Sequence, residues 1–235
     1  MEVPVNSNKK DGFLAVLNDT YNAVLITSEK EGLLKDVPVF GHFYKAAMIS
    51  KSVSDQLFLM KLAKFIDDTN LLTDSDVRSI KKALAFESNS DLAELLILAV
   101  DNLSDAGKSI YIAQSLNLYS RSELTKSDFL RATDLIQKMY IGDLKVNSNI
   151  GGINGCTSED LESMGLISLI GTSLLTLENI SPQKLKSDGR EEEVGLTRFS
   201  DTYFGSTFRH VLENKNPYSD LQKKDMLERG ILLKF

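Results

Sequence analysis

The chain has 235 residues, of which 42% are hydrophobic and 26% charged, with four prolines and no tryptophan. This is the composition of a globular protein, and the length accommodates one large domain or a main domain with a small second one. The formal charge of −6 disfavours a nucleic-acid binder, because phosphate affinity depends on clustered Lys and Arg.

The cysteine content indicates a reducing compartment. Cys156 is the single cysteine, so it has no partner for an internal disulfide, and we expect a cytoplasmic protein. The first residues, Met1 to Asn8, lack the basic and apolar regions of a signal peptide. The longest uncharged apolar stretch, Ser163 to Leu177, falls short of the roughly 20 apolar residues that a membrane helix needs.

Apolar residues at spacings of three and four predict a series of amphipathic helices from Gly12 to Gly142. The first covers Gly12–Thr27. The second, Phe40–Lys51, has bulky apolar groups and only two lysines, and we interpret it as buried, because helices on a membrane surface carry a strongly basic face. The third is capped by Ser54-Asp55 and ended by Asp67 to Asn70; it is the most apolar and is expected to form the centre.

A five-residue pattern, Leu72-Thr-Asp-Ser-Asp76, returns as Leu124-Thr-Lys-Ser-Asp128. In each copy Thr and Asp stand three residues apart, as in a capping box, so both copies are predicted to start helices. Two more helices lie between them, at Asp91–Leu103 and, after a Ser104 cap, at Asp105–Tyr119. The apolar positions of the first are Leu92, Leu95, Leu96, Ala99 and Val100. Short loops between these helices predict an antiparallel bundle over residues 12–142.

After Gly142 the sequence predicts a linker at 143–156 and a small C-terminal α+β module at 157–235. The stretch Asn147 to Thr157 is rich in Asn and Gly, which is typical of a flexible linker. The predicted elements of the module are a helix opened by Thr157 and Asp160 and closed by Gly165, extended segments at Leu166–Ile170, Leu174–Leu177 and Val194–Phe199, and helices at Asp201–Glu213 and Ser219–Arg229. The apolar tail Ile231–Phe235 is expected to dock on the body or on a partner.

The order of elements in this module resembles a winged-helix domain. A helix ending in Met164-Gly-Leu-Ile precedes strands around a charged tip, and Tyr203-Phe-Gly follows as a strand-to-helix exit. Residues 157–214 contain ten acidic and five basic residues, so a recognition helix here would meet phosphate with the wrong sign. Protein contact is therefore the favoured use of such a fold.

Four carboxylates at one helix–loop–helix joint are the candidate metal ligands: Asp67, Asp68, Asp74 and Asp76. Hard oxygen ligands of this kind hold calcium or magnesium. As an EF-hand loop beginning at Asp68, however, the segment has Thr73 where the turn glycine belongs and Ser79 where the bidentate Glu belongs. We favour helix capping as the role of these residues over metal binding.

Other catalytic chemistries lack their residues. The loop Gly151-Gly-Ile-Asn-Gly155 is followed by Cys156 and Thr157 rather than the Lys and Ser or Thr of a phosphate-binding loop. Nothing near Cys156 indicates a lowered pKa. His42 and His210 are the only histidines, too few with one cysteine for a zinc site. We predict no enzyme activity and no cofactor.

Segments along the chain resemble a family of uncharacterised helical proteins from bacteria and their prophages. They are Lys35-Asp-Val-Pro-Val-Phe-Gly41, Ser52-Val-Ser-Asp-Gln-Leu-Phe-Leu-Met-Lys-Leu62, Met164-Gly-Leu-Ile167 and Leu196-Thr-x-Phe199. Parts of the helical section also resemble the tellurite-resistance TerB type of bundle. The resemblance implies a bacterial or phage origin and a role in genetic conflict or stress, but no activity and no ligands.

The sequence thus predicts a mainly α protein, a multi-helix bundle with a small C-terminal winged-helix-like module. We expect a non-enzymatic protein-interaction component of a bacterial or phage conflict system, in defence, counter-defence or stress. A DNA-binding regulator that uses the C-terminal module is one alternative, and a peripheral membrane protein that uses Phe40–Lys51 is another. Another protein is the expected partner, nucleic acid is disfavoured, and homo-oligomerisation stays open.

Overall fold

A computed structural model describes residues 53–70, 72–85, 91–179, 183–187, 190–194 and 197–232. The helices predicted at Gly12–Thr27 and Phe40–Lys51 lie outside these residues. The fold is mainly helical, with a small antiparallel sheet near the C-terminus, as the sequence predicts. The described helices are α1 (Val53–Asn70), α2 (Asp74–Ala85), α3 (Leu92–Asp101), α4 (Ser109–Ser120), α5 (Lys126–Lys138), α6 (Ile141–Asn147), α7 (Ser158–Ser163), α8 (Tyr203–Leu212) and α9 (Asp220–Glu228).

Helix α1 is longer than predicted at both ends. Ser54 and Asp55 lie inside its first turn rather than before it, and Asp67 to Asn70 continue the helix instead of ending it. The polar residues near its end are accommodated by specific partners: Asp68 is buried and accepts hydrogen bonds from Lys64 and Ser109. The Thr69 hydroxyl donates to the Phe65 carbonyl oxygen at 2.8 Å, which keeps Thr69 helical.

Among the described helices the central one is α4, rather than α1 as predicted. Helices α1, α2, α5 and α8 all pack around α4. Its buried residues include Ile112, Leu116 and Tyr119 and, on other sides of the helix, the polar Ser115 and Asn117. These buried polar residues lower the apolarity of α4 in the sequence, which is why α1 looked like the centre.

Helix starts follow the predicted capping at several positions. Thr73 and Asp76 cap α2 reciprocally, with the Asp76 amide 3.2 Å from the Thr73 hydroxyl. Thr125 accepts from the Asp128 amide at 3.0 Å, and the Thr157–Asp160 capping box starts α7. The Ser104 prediction is wrong. Asp105 caps a 3-10 turn at Ala106–Lys108 through the Gly107 amide, and α4 begins only after this turn.

The segment predicted as a linker begins in α6 and ends in an isolated β-bridge. Its first residues belong to α6, which ends at Asn147. Beyond the helix, the Ile153 carbonyl oxygen accepts from the Asp201 amide at 2.8 Å, and Cys156 pairs with Phe199 through two backbone hydrogen bonds. The Ile153 side chain is buried in the core. Asn and Gly therefore serve an ordered turn here, with Gly152 and Gly155 at positive φ.

The sheet is built around the strand that precedes α8. Strand β1 (Leu175–Asn179) pairs antiparallel with β4 (Thr197–Asp201), with Leu177 opposite Phe199. Strands β2 (Gln183–Ser187) and β3 (Arg190–Val194) form a second antiparallel pair. The strand predicted at Leu166–Ile170 is instead a 3-10 turn at Ile167–Leu169, in which Leu166 and Leu169 are buried and Ile167 is exposed. The predicted stretch Val194–Phe199 spans the end of β3 and the start of β4.

The bundle and the C-terminal elements share one hydrophobic core. Side chains from α1, such as Phe65, and from α8, such as Phe208, belong to the same cluster of buried residues. In the predicted tail, Leu232 is buried while Ile231 is exposed. The division of the chain into two domains, a bundle at 12–142 and a module at 157–235, stays a prediction.

A charge pair between the buried Arg209 and the partly buried Asp201 fixes the C-terminal elements to one another. Arg209 of α8 donates to both carboxylate oxygens of Asp201, at 2.6 and 2.9 Å. Asp201 also accepts from the Ile153 amide at 2.9 Å, and Arg209 donates to the Asn147 side chain at 3.3 Å. One ion pair thus joins β4, α8, the end of α6 and the segment that follows α6.

Gly205 allows the first turn of α8 to lie directly against the backbone of Leu174, the residue before β1. A Cβ atom at this position would lie 2.1 Å from the Leu174 carbonyl oxygen, which is backbone and has no room to move. We predict that Gly205→Ala lowers the free energy of unfolding by about 2–3 kcal/mol through overpacking. Urea unfolding measures the loss.

The control is Gly151→Ala, where an added Cβ would meet no atom within 4 Å. This substitution should change the stability by less than about 0.5 kcal/mol. Equal effects of the two substitutions would contradict the close approach of α8 to Leu174.

Candidate interaction groove

Helix α3 is apolar on nearly all of its surface. Its sequence, Leu92-Ala-Glu-Leu-Leu-Ile-Leu-Ala-Val-Asp101, has eight apolar residues among ten. A helix of this kind is normally buried on every side. Here α3 packs on α1 and touches α5 at the edge of the bundle, and two of its leucines face outward. Leu95, one of the apolar positions named from the sequence, is 41% exposed, and Leu98 is 58% exposed.

These leucines border a groove between α3 and α5. From α3 it is lined by Leu95, Leu96, Leu98, Ala99 and Asn102, and from α5 by Phe129, Leu130, Thr133, Asp134 and Gln137. Leu130, on the opposite wall, is 38% exposed. The three exposed leucines therefore form an apolar strip along the mouth of the groove, which we call the leucine strip (Leu95, Leu98 and Leu130).

The groove is small, and two of its four polar side chains, Asp134 and Gln137, are hydrogen-bonded within the protein, whereas the buried Thr133 hydroxyl has no partner among the described residues. It encloses about 210 Å³, below the range of about 300–1,000 Å³ usual for small-molecule sites. Asp134 is paired with Lys138 at 2.7 Å, and the Gln137 amide donates to the Thr133 carbonyl oxygen at 3.2 Å. The groove thus offers apolar contact and little polar recognition, which suits protein side chains better than a cofactor.

The buried Lys108 contacts Gln137, one of the residues that line the groove. Lys108 donates to the Ser104 hydroxyl at 2.8 Å and to the Gln137 carbonyl oxygen at 2.9 Å. Burial lowers the pKa of the Lys108 amine, and the nearby Asp105 partly offsets this effect. Two hydrogen bonds to the protein hold the amine at the C-terminal end of α5, so its role is to fix that helix end.

The four candidate metal ligands are separated by the roles they play. Asp68 is buried and bonded to Lys64 and Ser109, whereas Asp67 lies at the surface, 3.9 Å from Lys64. Asp74 and Asp76 are in the first turn of α2, where Asp76 caps the helix and lies 3.7 Å from Arg121. Within the described residues, no group of three or more His, Cys, Asp or Glu side chains is placed to hold a metal ion.

The other candidate catalytic residues are also bound to the protein. The Gly155 amide donates to the Ser200 hydroxyl at 2.9 Å, and the Ile153 amide to Asp201, so these amides are not free to bind a phosphate. Nδ1 of His210 is 2.8 Å from the Ser206 carbonyl oxygen within its own helix. His42 lies outside the described residues.

A polar cluster around Asp128 was not predicted from the sequence. The Asp128 carboxylate accepts from the Tyr218 hydroxyl at 3.0 Å, and Arg131 lies 3.8 Å from Asp128. The Arg131 guanidinium stacks 3.7 Å from the centre of the Phe204 ring on α8. A predicted capping residue therefore also attaches the segment before α9 to the bundle, since Tyr218 is buried.

Burial, the negative charge of Asp128 and their hydrogen bond raise the pKa of Tyr218 well above its usual value. We predict that Tyr218→Phe lowers the free energy of unfolding by about 1–2 kcal/mol at neutral pH, through loss of a hydrogen bond to a charged group. The folded state keeps the Tyr218 proton above the pH at which the unfolded chain loses it, about 10. This contribution to stability is therefore complete below pH ~10 and is lost as the pH rises further.

Urea unfolding of both proteins at about pH 7 and about pH 11 measures this effect. The stability difference between wild type and Tyr218→Phe should narrow at the higher pH. A difference that stays constant would show that the Tyr218–Asp128 hydrogen bond does not stabilise the fold.

Comparison with known proteins gives no assignment. No protein-family model, no curated protein sequence and no solved structure matches this chain. None of the described helices combines the length and the apolarity that a membrane crossing requires. The candidate site therefore rests on the geometry of the described residues.

Proposed function

We propose that this chain is a non-enzymatic interaction protein that binds a helix of another protein in the groove between α3 and α5. The observation that supports this proposal is the leucine strip, which places three partly exposed leucines around one apolar groove. Apolar side chains that cluster around one groove favour an interaction site more than scattered surface leucines do. A cytoplasmic location belongs to the proposal through the single cysteine, and a role in bacterial or phage conflict through the resemblance of the sequence.

The shape of the groove favours a helical partner. Its walls are two helices of the bundle, so the positions of Leu95, Leu98 and Leu130 are fixed by regular secondary structure. An amphipathic helix inserts apolar residues spaced by three and four into such a groove. Because the walls are already formed, little ordering of this chain would accompany binding.

The alternatives draw less support from the described residues. A DNA-binding role needs a basic recognition helix, whereas α7 is six residues long and exposes Glu159, Asp160 and Glu162. A membrane-surface role relies on Phe40–Lys51, which lies outside the described residues.

We predict that Leu98→Asp abolishes the capture of a partner protein from a lysate of the source organism. A carboxylate in the leucine strip would be desolvated by any partner that covers it. Since Leu98 is 58% exposed, the substitution should leave the urea midpoint nearly unchanged. The measurement is affinity capture by the purified full chain, quantified by mass spectrometry.

The control is Leu221→Asp on α9, where the leucine is 79% exposed and distant in sequence from the groove. This variant should capture the same protein as the wild type. Capture that survives Leu98→Asp, or that is lost equally in both variants, would contradict the assignment of the groove. Capture of DNA alone, detected by gel shift at low salt, would favour the regulator alternative.

A further inference from the structure

The two walls of the groove differ in charge. Between Asp91 and Asp105 the chain has four acidic residues and no basic one. Glu94 and Asp101 are exposed and lie beside Leu98, because residues three and four apart share one side of a helix. Neither carboxylate forms an ion pair with any described residue. The Lys61 amine of α1 donates to the Asp101 carbonyl oxygen, so a cation lies near one end of this edge, but the carboxylates of Glu94 and Asp101 stay exposed and, among the described residues, unpaired along the α3 side of the groove.

The α5 side has its charges compensated. Asp134 is paired with Lys138, and Arg131 stacks on Phe204 near Asp128. Lys126, at the N-terminal end of α5, is exposed one turn before Leu130. A helix lying in the groove would thus have an acidic row along one flank and no comparable row along the other.

We propose that the partner helix carries two Lys or Arg residues about seven positions apart on the flank that faces α3. Glu94 and Asp101 are two helical turns apart, about 10 Å along the axis, and the same spacing on a partner helix places one cation opposite each carboxylate. Charges at the edge of an apolar contact select partners and speed association more than they raise affinity. This inference rests on the proposed function and specifies the chemistry of the partner.

A segment of this chain has similar chemistry. Residues 40–51 contain Lys45 and Lys51, several bulky apolar groups and no acidic residue. The test therefore has to distinguish two occupants of the groove, a partner protein and residues 40–51 of the same chain.

The test uses the full chain and two labelled synthetic helical peptides with the same leucine spacing. One peptide has two lysines seven positions apart on one flank, and the other has two glutamates at those positions. Fluorescence anisotropy should show that the lysine peptide binds about tenfold more tightly than the glutamate peptide at low salt. Added salt should make this difference in affinity smaller. The double variant Glu94→Lys and Asp101→Lys should reverse the preference.

A matched control is Glu159→Lys with Glu162→Lys on α7, which changes the net charge equally and should keep the preference for lysine. Equal binding of the two peptides would overturn the inferred charge selection while leaving a helix-binding groove. Absence of binding in every variant would overturn both proposals. Binding that appears only after Phe43→Asp and Met48→Asp would overturn the inference in favour of the chain's own segment.

Discussion

The arrangement of this protein depends on the burial of α4 on all sides. Helices α1, α2, α5 and α8 surround α4, and residues around its whole circumference, including Ile112, Leu116 and Tyr119, are shielded from water. A fully enclosed helix has no face left for a fifth neighbour. Helix α3 therefore lies outside this layer, on α1 and beside α5, although its sequence is apolar enough for an inner position. The groove and its leucine strip result from this displacement.

The C-terminal elements are held by a second constraint, the ion pair of the buried Arg209 and the partly buried Asp201. Removing Asp201 would leave the buried charge of Arg209 uncompensated, which is strongly destabilising. Because the same pair bonds the Ile153 amide and the Asn147 side chain, it orders a segment whose composition is that of a linker. Helix α8, one of the four neighbours of α4, is positioned through this pair and through the close contact of Gly205 with Leu174.

The sequence predicted those features that local chemistry determines. The Thr–Asp capping pairs at Thr73, Thr125 and Thr157 are short-range hydrogen-bond patterns, and the structure confirms all three. The error at Ser104 is local, because its neighbour Asp105 caps instead, whereas the errors at Asp68 and Ile153 arose where distant residues decide the outcome. Asp68 stays helical because of Ser109, 41 residues away, and Ile153 is ordered by Asp201. The groove was not predicted. The periodicity of apolar residues identifies an apolar helix, but it does not show which side of that helix the described neighbours leave exposed. The apolar run of α3 was the signal available in the sequence.

The central claim is that Leu98 lies in a protein contact in the cell. A photo-crosslinking amino acid placed at Leu98 in the source cells tests it most directly, with the same residue placed at Leu221 as the reference. We expect a specific adduct from position 98 that is absent from position 221. Mass spectrometry of this adduct should identify a helical peptide with basic residues. Equal labelling from both positions, or adducts from position 98 that map only to residues 40–51 of the same chain, would contradict it.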